Sequence, residues 1–256
     1  MQDLKIALVQ TNQIWENKSA NFSAYEQLLA GHDELDVIVL PEMFHTGFSM
    51  EAEYLAESMS QSIGLDWLKK MAHLKNAAIY TSLIIHEEPH FFNRGIFVFP
   101  DGTIEYYDKR KSFGLAGEDK TYTAGITKKI VTYKGWKIQL QICYDLRFPE
   151  ICRNDLIAET PAYDILLFVA NWPSKRSAHW KALLTARAIE NQAYVAGVNR
   201  VGTDGNGLEY SGDSLWVDAL GEKQHAEAFA QEVKIVQAVH NDLLTIRKAL
   251  PFLKDA

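Results

Sequence analysis

The stretch Gln139-Leu140-Gln141-Ile142-Cys143-Tyr144-Asp145-Leu146-Arg147-Phe148-Pro149-Glu150 passes from an apolar run to a cluster of charges within a few residues. Residues 136–142 read as a strand, and Cys143 stands at its end, where a loop or helix begins. A side chain there can be reached by a small molecule while the sheet holds its backbone. Free cysteine is also among the most buried residue types. Position alone therefore leaves two readings of Cys143, core hydrophobe or nucleophile.

Working outward, residues 129–133 turn at Lys134-Gly135 into the 136–142 run, which predicts a strand pair ending on Cys143. Further upstream, 93–99 and 103–107 flank Pro100-Asp101-Gly102, and an Asp-Gly turn between apolar runs is a strong hairpin signal. That hairpin delivers Asp108-Lys109-Arg110-Lys111, and 112–124 has no period and reads as a loop at the same sheet edge. The N-terminal third alternates apolar runs (4–10, 36–40, 77–85) with helical patterns (18–30, 65–75), giving β-α-β-α-β. Downstream, 148–157 is expected as a short helix, 165–169 as a buried strand and 177–191 as an amphipathic helix. Strands at 194–199, 214–217 and 233–238 and a helix at 243–250 follow.

Hairpins impose antiparallel pairs, so this order cannot form one all-parallel sheet. The expectation is an α/β chain of two mixed sheets packed together with helices outside, as a single domain over 1–256. Glu42, Lys109, Cys143 and Asn171 all fall at predicted strand ends and could converge on one rim.

With 256 residues, 47% of them hydrophobic and 23% charged, the chain can build a sizeable core. A formal net charge of −7 argues against a nucleic-acid surface, and no apolar run reaches membrane-spanning length. Met1-Gln2-Asp3-Leu4-Lys5-Ile6 enters a strand pattern with no export signal, so two reduced cysteines in a cytoplasm are expected rather than a disulfide framework. His86-Glu87-Glu88-Pro89-His90 has the spacing of a zinc-protease motif, but Pro89 breaks the helix that motif needs. No glycine-rich phosphate loop is present, and no cofactor or metal is expected. His179, at the start of the 177–191 helix, reads as a solvated or capping residue.

Cysteine hydrolases usually activate sulfur with histidine, and the eight histidines offer no clear partner for Cys143. A carboxylate could serve instead. The strings Val39-Leu40-Pro41-Glu42-Met43-Phe44, Tyr107-Asp108-Lys109-Arg110 and Gln141 to Glu150 together resemble the three signature blocks of the nitrilase superfamily of carbon-nitrogen hydrolases. Phe113 to Glu118, Asn171-Trp172-Pro173 and Ala186 to Gln192 match as well, so the resemblance runs from Leu4 to about Gly221.

The resemblance implies a four-layer α-β-β-α sandwich and a set of roles. Glu42 would be general base toward Cys143, Lys109 would stabilise the oxyanion with the backbone N–H of Tyr144, and Glu118 would orient the lysine and the leaving group. A thioester would form and be hydrolysed, and a cation beside the thiol would favour thiolate. The strings 41–48 and 169–173 look most like the bacterial omega-amidase branch, which implies 2-oxoglutaramate or 2-oxosuccinamate as substrate. Such a small anionic amide needs a cation beyond Lys109. Arg147, Arg176 and Arg200 are candidates, because guanidinium binds carboxylates bidentately. For Arg147 a structural ion pair with Asp145 or Glu150 is the alternative. Phe44, Phe113, Tyr144 and Trp172 would wall the pocket beside Asn171. Other amidases of the superfamily share the triad, and a catalytically silent binding module is the alternative of another class. A homodimer is expected, through an outer helix face such as 177–191.

Overall fold

The computed structural model describes residues 1–255. Two six-stranded mixed sheets lie face to face. In the first, the order is Glu232–Ala238, Leu4–Gln10, Val37–Val39, Ala78–Glu87, His90–Val98, Ile104–Asp108. In the second it is Lys223–His225, Leu215–Val217, Tyr194–Asn199, Ile165–Ala170, Trp136–Ile142, Ile130–Tyr133. The centre of each sheet is parallel and its margins are antiparallel.

The side-chain period of two sorts the apolar strand residues between two cores. Leu4, Ile6, Leu8, Val37, Val39 and Tyr80 face the second sheet, against Ile138, Leu140 and Leu167. Ala7, Val9, Ile38, Leu40 and Ile79 face outward, against Tyr25 of helix Lys18–Leu28 and Leu65, Leu68 and Met71 of helix Ile63–Lys75. Burial on both faces is why these strands read as unbroken apolar runs. On the far side, Trp180 and Leu184 of helix Ser177–Asn191 press on the second sheet at Gly197, where an added Cβ would lie 2.4 Å from Leu184 Cδ1. The layers are thus α-β-β-α, as the resemblance implied.

Some expectations need correction. The 148–157 helix shrinks to Pro149–Cys152, because Arg153 leaves the helical conformation (φ −57°, ψ 131°) and a small hairpin of Leu156–Ile157 with Thr160–Pro161 follows. The 112–124 loop contains the turns Gly114–Ala116 and Glu118–Thr121. A further small hairpin, Val201–Thr203 with Glu209–Ser211, was not among the expected strands. Lys223–His225 and the short helix Ala52–Leu55 carry no sequence period. Among the described residues, no helix is long and apolar enough to cross a membrane.

Candidate active site

Parallel strands end together, so the residues after them collect at one edge, the usual place for ligands in α/β sheets. Glu42 follows Val37–Val39, Lys109 follows Ile104–Asp108, Cys143 follows Trp136–Ile142 and Asn171 follows Ile165–Ala170. All four are buried, with Glu42 and Glu118 at 0% exposure, Lys109 at 3% and Cys143 at 8%.

The lysine is held between two carboxylates. Lys109 Nζ donates to Glu42 Oε1 at 2.9 Å and to Glu118 Oε1 and Oε2 at 2.8 and 3.0 Å. Asn93 Nδ2 donates to the same two residues, at 2.8 Å to Glu42 Oε1 and 3.2 Å to Glu118 Oε1. The Asn171 backbone N–H reaches Glu42 Oε2 at 2.9 Å, while its side-chain amide binds the Glu42 carbonyl at 2.7 Å. Phe113 N–H donates to Glu118 Oε2 at 2.5 Å, which places the loop carrying Glu118. Every oxygen of this dyad thus has a fixed partner, as buried charge requires. Cys143 Sγ lies 3.9 Å from the Asn171 carbonyl oxygen.

Two left-handed residues shape the site. Cys143 has φ +45° and Met43, next to Glu42, has φ +47°. Non-glycine residues pay about 1–3 kcal/mol for such backbone, which persists where the surroundings over-determine it. Ser82 Oγ accepts from Met43 N–H at 2.9 Å, and Gln13 Nε2 donates to the carbonyls of Glu42 and Met43 at 2.9 and 3.2 Å. After Cys143 the chain makes the single turn Cys143–Arg147, in whose first residues, including Tyr144, the N–H groups have no intrahelical acceptor.

Burial is the largest influence on the Cys143 thiol and raises its pKa well above the usual thiol range. Glu42 adds to this, and Lys109 offsets it only in part. Lys109 thus favours the thiolate, as expected, but burial opposes it more strongly, and the Glu42 carboxylate lies close enough to the sulfur to act on it electrostatically. For Lys109, burial pulls the pKa down, but Glu118, Glu42 and Cys143 together hold it well above the usual lysine value. The ammonium stays charged.

The thiol opens into a cavity of about 910 Å³. Phe113, Tyr144, Arg147, Asn171, Trp172 and Arg176 all line it, together with Phe48 and Trp15. Arg147 lies over the Trp172 ring at 4.6 Å with Nη2 3.3 Å from His179 Nδ1, and Arg176 lies over Phe113 at 5.3 Å. Among the described residues neither guanidinium is in a salt bridge. Glu150 pairs with Lys111, and Asp145 is bound elsewhere, which removes the ion-pair alternative for Arg147.

Two residues were misplaced by the sequence reading. Phe44 is not a pocket wall: the turn at Met43 sends its ring into the helix-side core, where it stacks on His45 at 4.9 Å and packs on Trp67 at 5.4 Å. Phe48 takes its place, 5.2 Å from Lys109 Nζ. Arg200 is fully buried behind the Glu42 loop, bonded to Gln13 O at 3.0 Å and Asn12 Oδ1 at 3.1 Å, and is absent from the cavity wall. Asn93 was missed. Its only signal is an amide in the strand His90–Val98, which is otherwise largely apolar.

Known proteins resemble this chain in sequence and in fold. The carbon-nitrogen hydrolase family profile matches residues 5–245. The omega-amidase YafV of Escherichia coli K12 is 48% identical over 222 residues, covering 87% of this chain and 84% of its own. A 2-oxoglutaramate amidase of Bacillus subtilis is 34% identical over 225 residues, covering 86% and 84%. Among solved structures, XC1258 of Xanthomonas campestris superposes with a TM-score of 0.97 at 42% identity, covering 100% of this chain and 98% of the other. It is described as a CN-hydrolase superfamily protein with an arsenic adduct in the active site.

Proposed function

The chain belongs to the carbon-nitrogen hydrolase family, and from that premise we propose that it is an omega-amidase. It hydrolyses the terminal amide of 2-oxoglutaramate or 2-oxosuccinamate to the 2-oxo dicarboxylic acid and ammonia. The observation that carries this reading is one cavity holding a thiol, a caged ammonium and two guanidiniums that have no carboxylate partner among the described residues. Lys109 is matched by two carboxylates, so attraction for an anionic substrate falls to Arg147 and Arg176.

In the reaction, Glu42 takes the Cys143 proton as sulfur bonds to the amide carbon. The oxyanion is stabilised by the Lys109 ammonium and the Tyr144 N–H. The C–N bond then breaks, and the proton on Glu42 leaves with ammonia. A water attacks the resulting thioester while Glu42 accepts its proton, the C–S bond breaks and the thiol is restored. Glu118 keeps Lys109 aimed at the carbonyl.

The matched span and the shared inter-sheet core support reading residues 1–256 as one domain. We further infer a cytoplasmic homodimer. Helix Ser177–Asn191 leaves Ala182, Ala186 and Ile189 exposed on one stripe, a surface small enough for close helix contact. Light scattering tests the dimer.

Purified protein is expected to release ammonia from 2-oxoglutaramate much faster than from an uncharged aliphatic amide, a nitrile or an N-carbamoyl amino acid. Equal rates on the uncharged amide would overturn the assignment.

A further inference from the structure

Asp145 lies two residues beyond the nucleophile, fully buried, and among the described residues no cation comes within salt-bridge distance of it. Its carboxylate instead accepts three hydrogen bonds. Oδ2 takes the N–H of Ile142 at 3.0 Å and the hydroxyl of Tyr107 at 2.9 Å, and Oδ1 takes the N–H of Lys111 at 3.0 Å. Ile142 immediately precedes Cys143, while Tyr107 and Lys111 bracket Lys109 by two residues on either side. One side chain thus joins the segment carrying the ammonium to the segment carrying the sulfur. The two belong to different sheets.

We propose that Asp145 is a positioning residue for the reaction: its carboxylate fixes the Lys109 segment against the left-handed Cys143 turn, so that ammonium and sulfur address the same carbonyl. Only a carboxylate fits this job. Three donors converge on it, and a carboxamide would turn an N–H toward one of them.

Stability does not explain the choice. Burial raises the Asp145 pKa to about 6, although the Ile142 N–H, Lys109, Tyr107 and the Lys111 N–H each pull it down. An acid whose folded pKa is raised contributes stability while protonated and loses it as pH rises through that value. Above that value the ionised Asp145 therefore costs stability relative to an ordinary aspartate, so the hydrogen-bond geometry and not a stability gain carries the proposal. The titratable groups facing it are Tyr80 and Tyr107 from the first sheet, Lys109 after it, and Cys152 behind the turn, while the Lys111 ammonium is turned to Glu150.

The proposal rests on Cys143 and Lys109 acting as described above. The test measures kcat per alkylatable Cys143, KM and the pH profile for Asp145→Asn and Tyr107→Phe. In Asp145→Asn, kcat per site is expected to fall about 10–100-fold, the cost of a misplacement near 1 Å. KM should stay within about threefold, because Arg147 and Arg176 are untouched. Wild-type kcat is expected to fall as Asp145 is protonated near pH 6, and that fall should be absent from the pH profile of Asp145→Asn. Tyr107→Phe, which removes one of the three donors, should lower kcat about 3–10-fold, and it decides the matter alone if the Asn variant does not fold. Wild-type kcat per site in a folded variant would overturn the proposal. Failure of the underlying reading looks different, since Cys143→Ala would then keep its turnover.

Discussion

Cys143 and Cys152 sit in one short segment, both buried and both with pKa values raised by burial, yet only one is placed for chemistry. Cys152 is fully enclosed, its Sγ 3.8 Å from the Asp145 carbonyl oxygen and its own carbonyl bound by Tyr163 Oη at 2.6 Å. Cys143 ends a strand in left-handed backbone, opens on the cavity and stands beside Glu42 and Lys109. The comparison teaches that a lowered thiol pKa is not what separates them, since burial raises both. Access to the cavity and the neighbouring Glu42 carboxylate, the proton acceptor of the proposed mechanism, separate them.

The largest effect should come from exchanging the sulfurs one at a time. Cys143→Ala is expected to lower kcat by about 10⁴-fold or more, whereas Cys152→Ala should keep it within about threefold. A comparable loss in both variants would break the comparison.

Next, Glu42→Gln keeps the shape and an acceptor for Lys109 but removes the base. It should lower kcat about 10²–10⁴-fold and slow iodoacetamide labelling of Cys143. Unchanged labelling would mean that the thiol needs no acceptor. Arg147→Ala asks what the cavity adds: KM for 2-oxoglutaramate should rise about 10–100-fold, with little change for an uncharged amide.

The smallest effect concerns Cys152. Burial raises its pKa from about 9 to about 12, so the stability of its protonated form is lost as pH rises between those values. Chemical denaturation at pH 7 and about pH 10.5 should show a loss of stability about 2 kcal/mol larger in the wild type than in Cys152→Ala, which keeps the contribution of Cys143.

Much of this was legible in the sequence. Strands buried on both faces give unbroken apolar runs such as Leu4–Gln10 and Trp136–Ile142, and Asp101-Gly102 marks the hairpin that delivers Lys109. The motif strings then pointed to Glu42, Lys109, Glu118 and Cys143, which the fold brings together. Sequence failed where backbone conformation or distant packing decides. Nothing in Glu42-Met43-Phe44 announces positive φ at Met43, so Phe44 was aimed at the pocket instead of the core. Arg200 was indistinguishable from Arg147 until the fold placed one behind the Glu42 loop and the other over Trp172. Asn93 acts through two carboxylates that lie far from it in sequence, and Asp145, which looked like an ion-pair partner for Arg147, is bound to the strand end and the Lys109 segment.

The most direct test of the central claim is acid quenching of the protein during steady-state turnover of 2-oxoglutaramate, followed by mass analysis of the two cysteine peptides. The account predicts the substrate acyl group as a thioester on Cys143, with Cys152 unmodified. Turnover with no acyl group on Cys143, or with the adduct on Cys152, would contradict it.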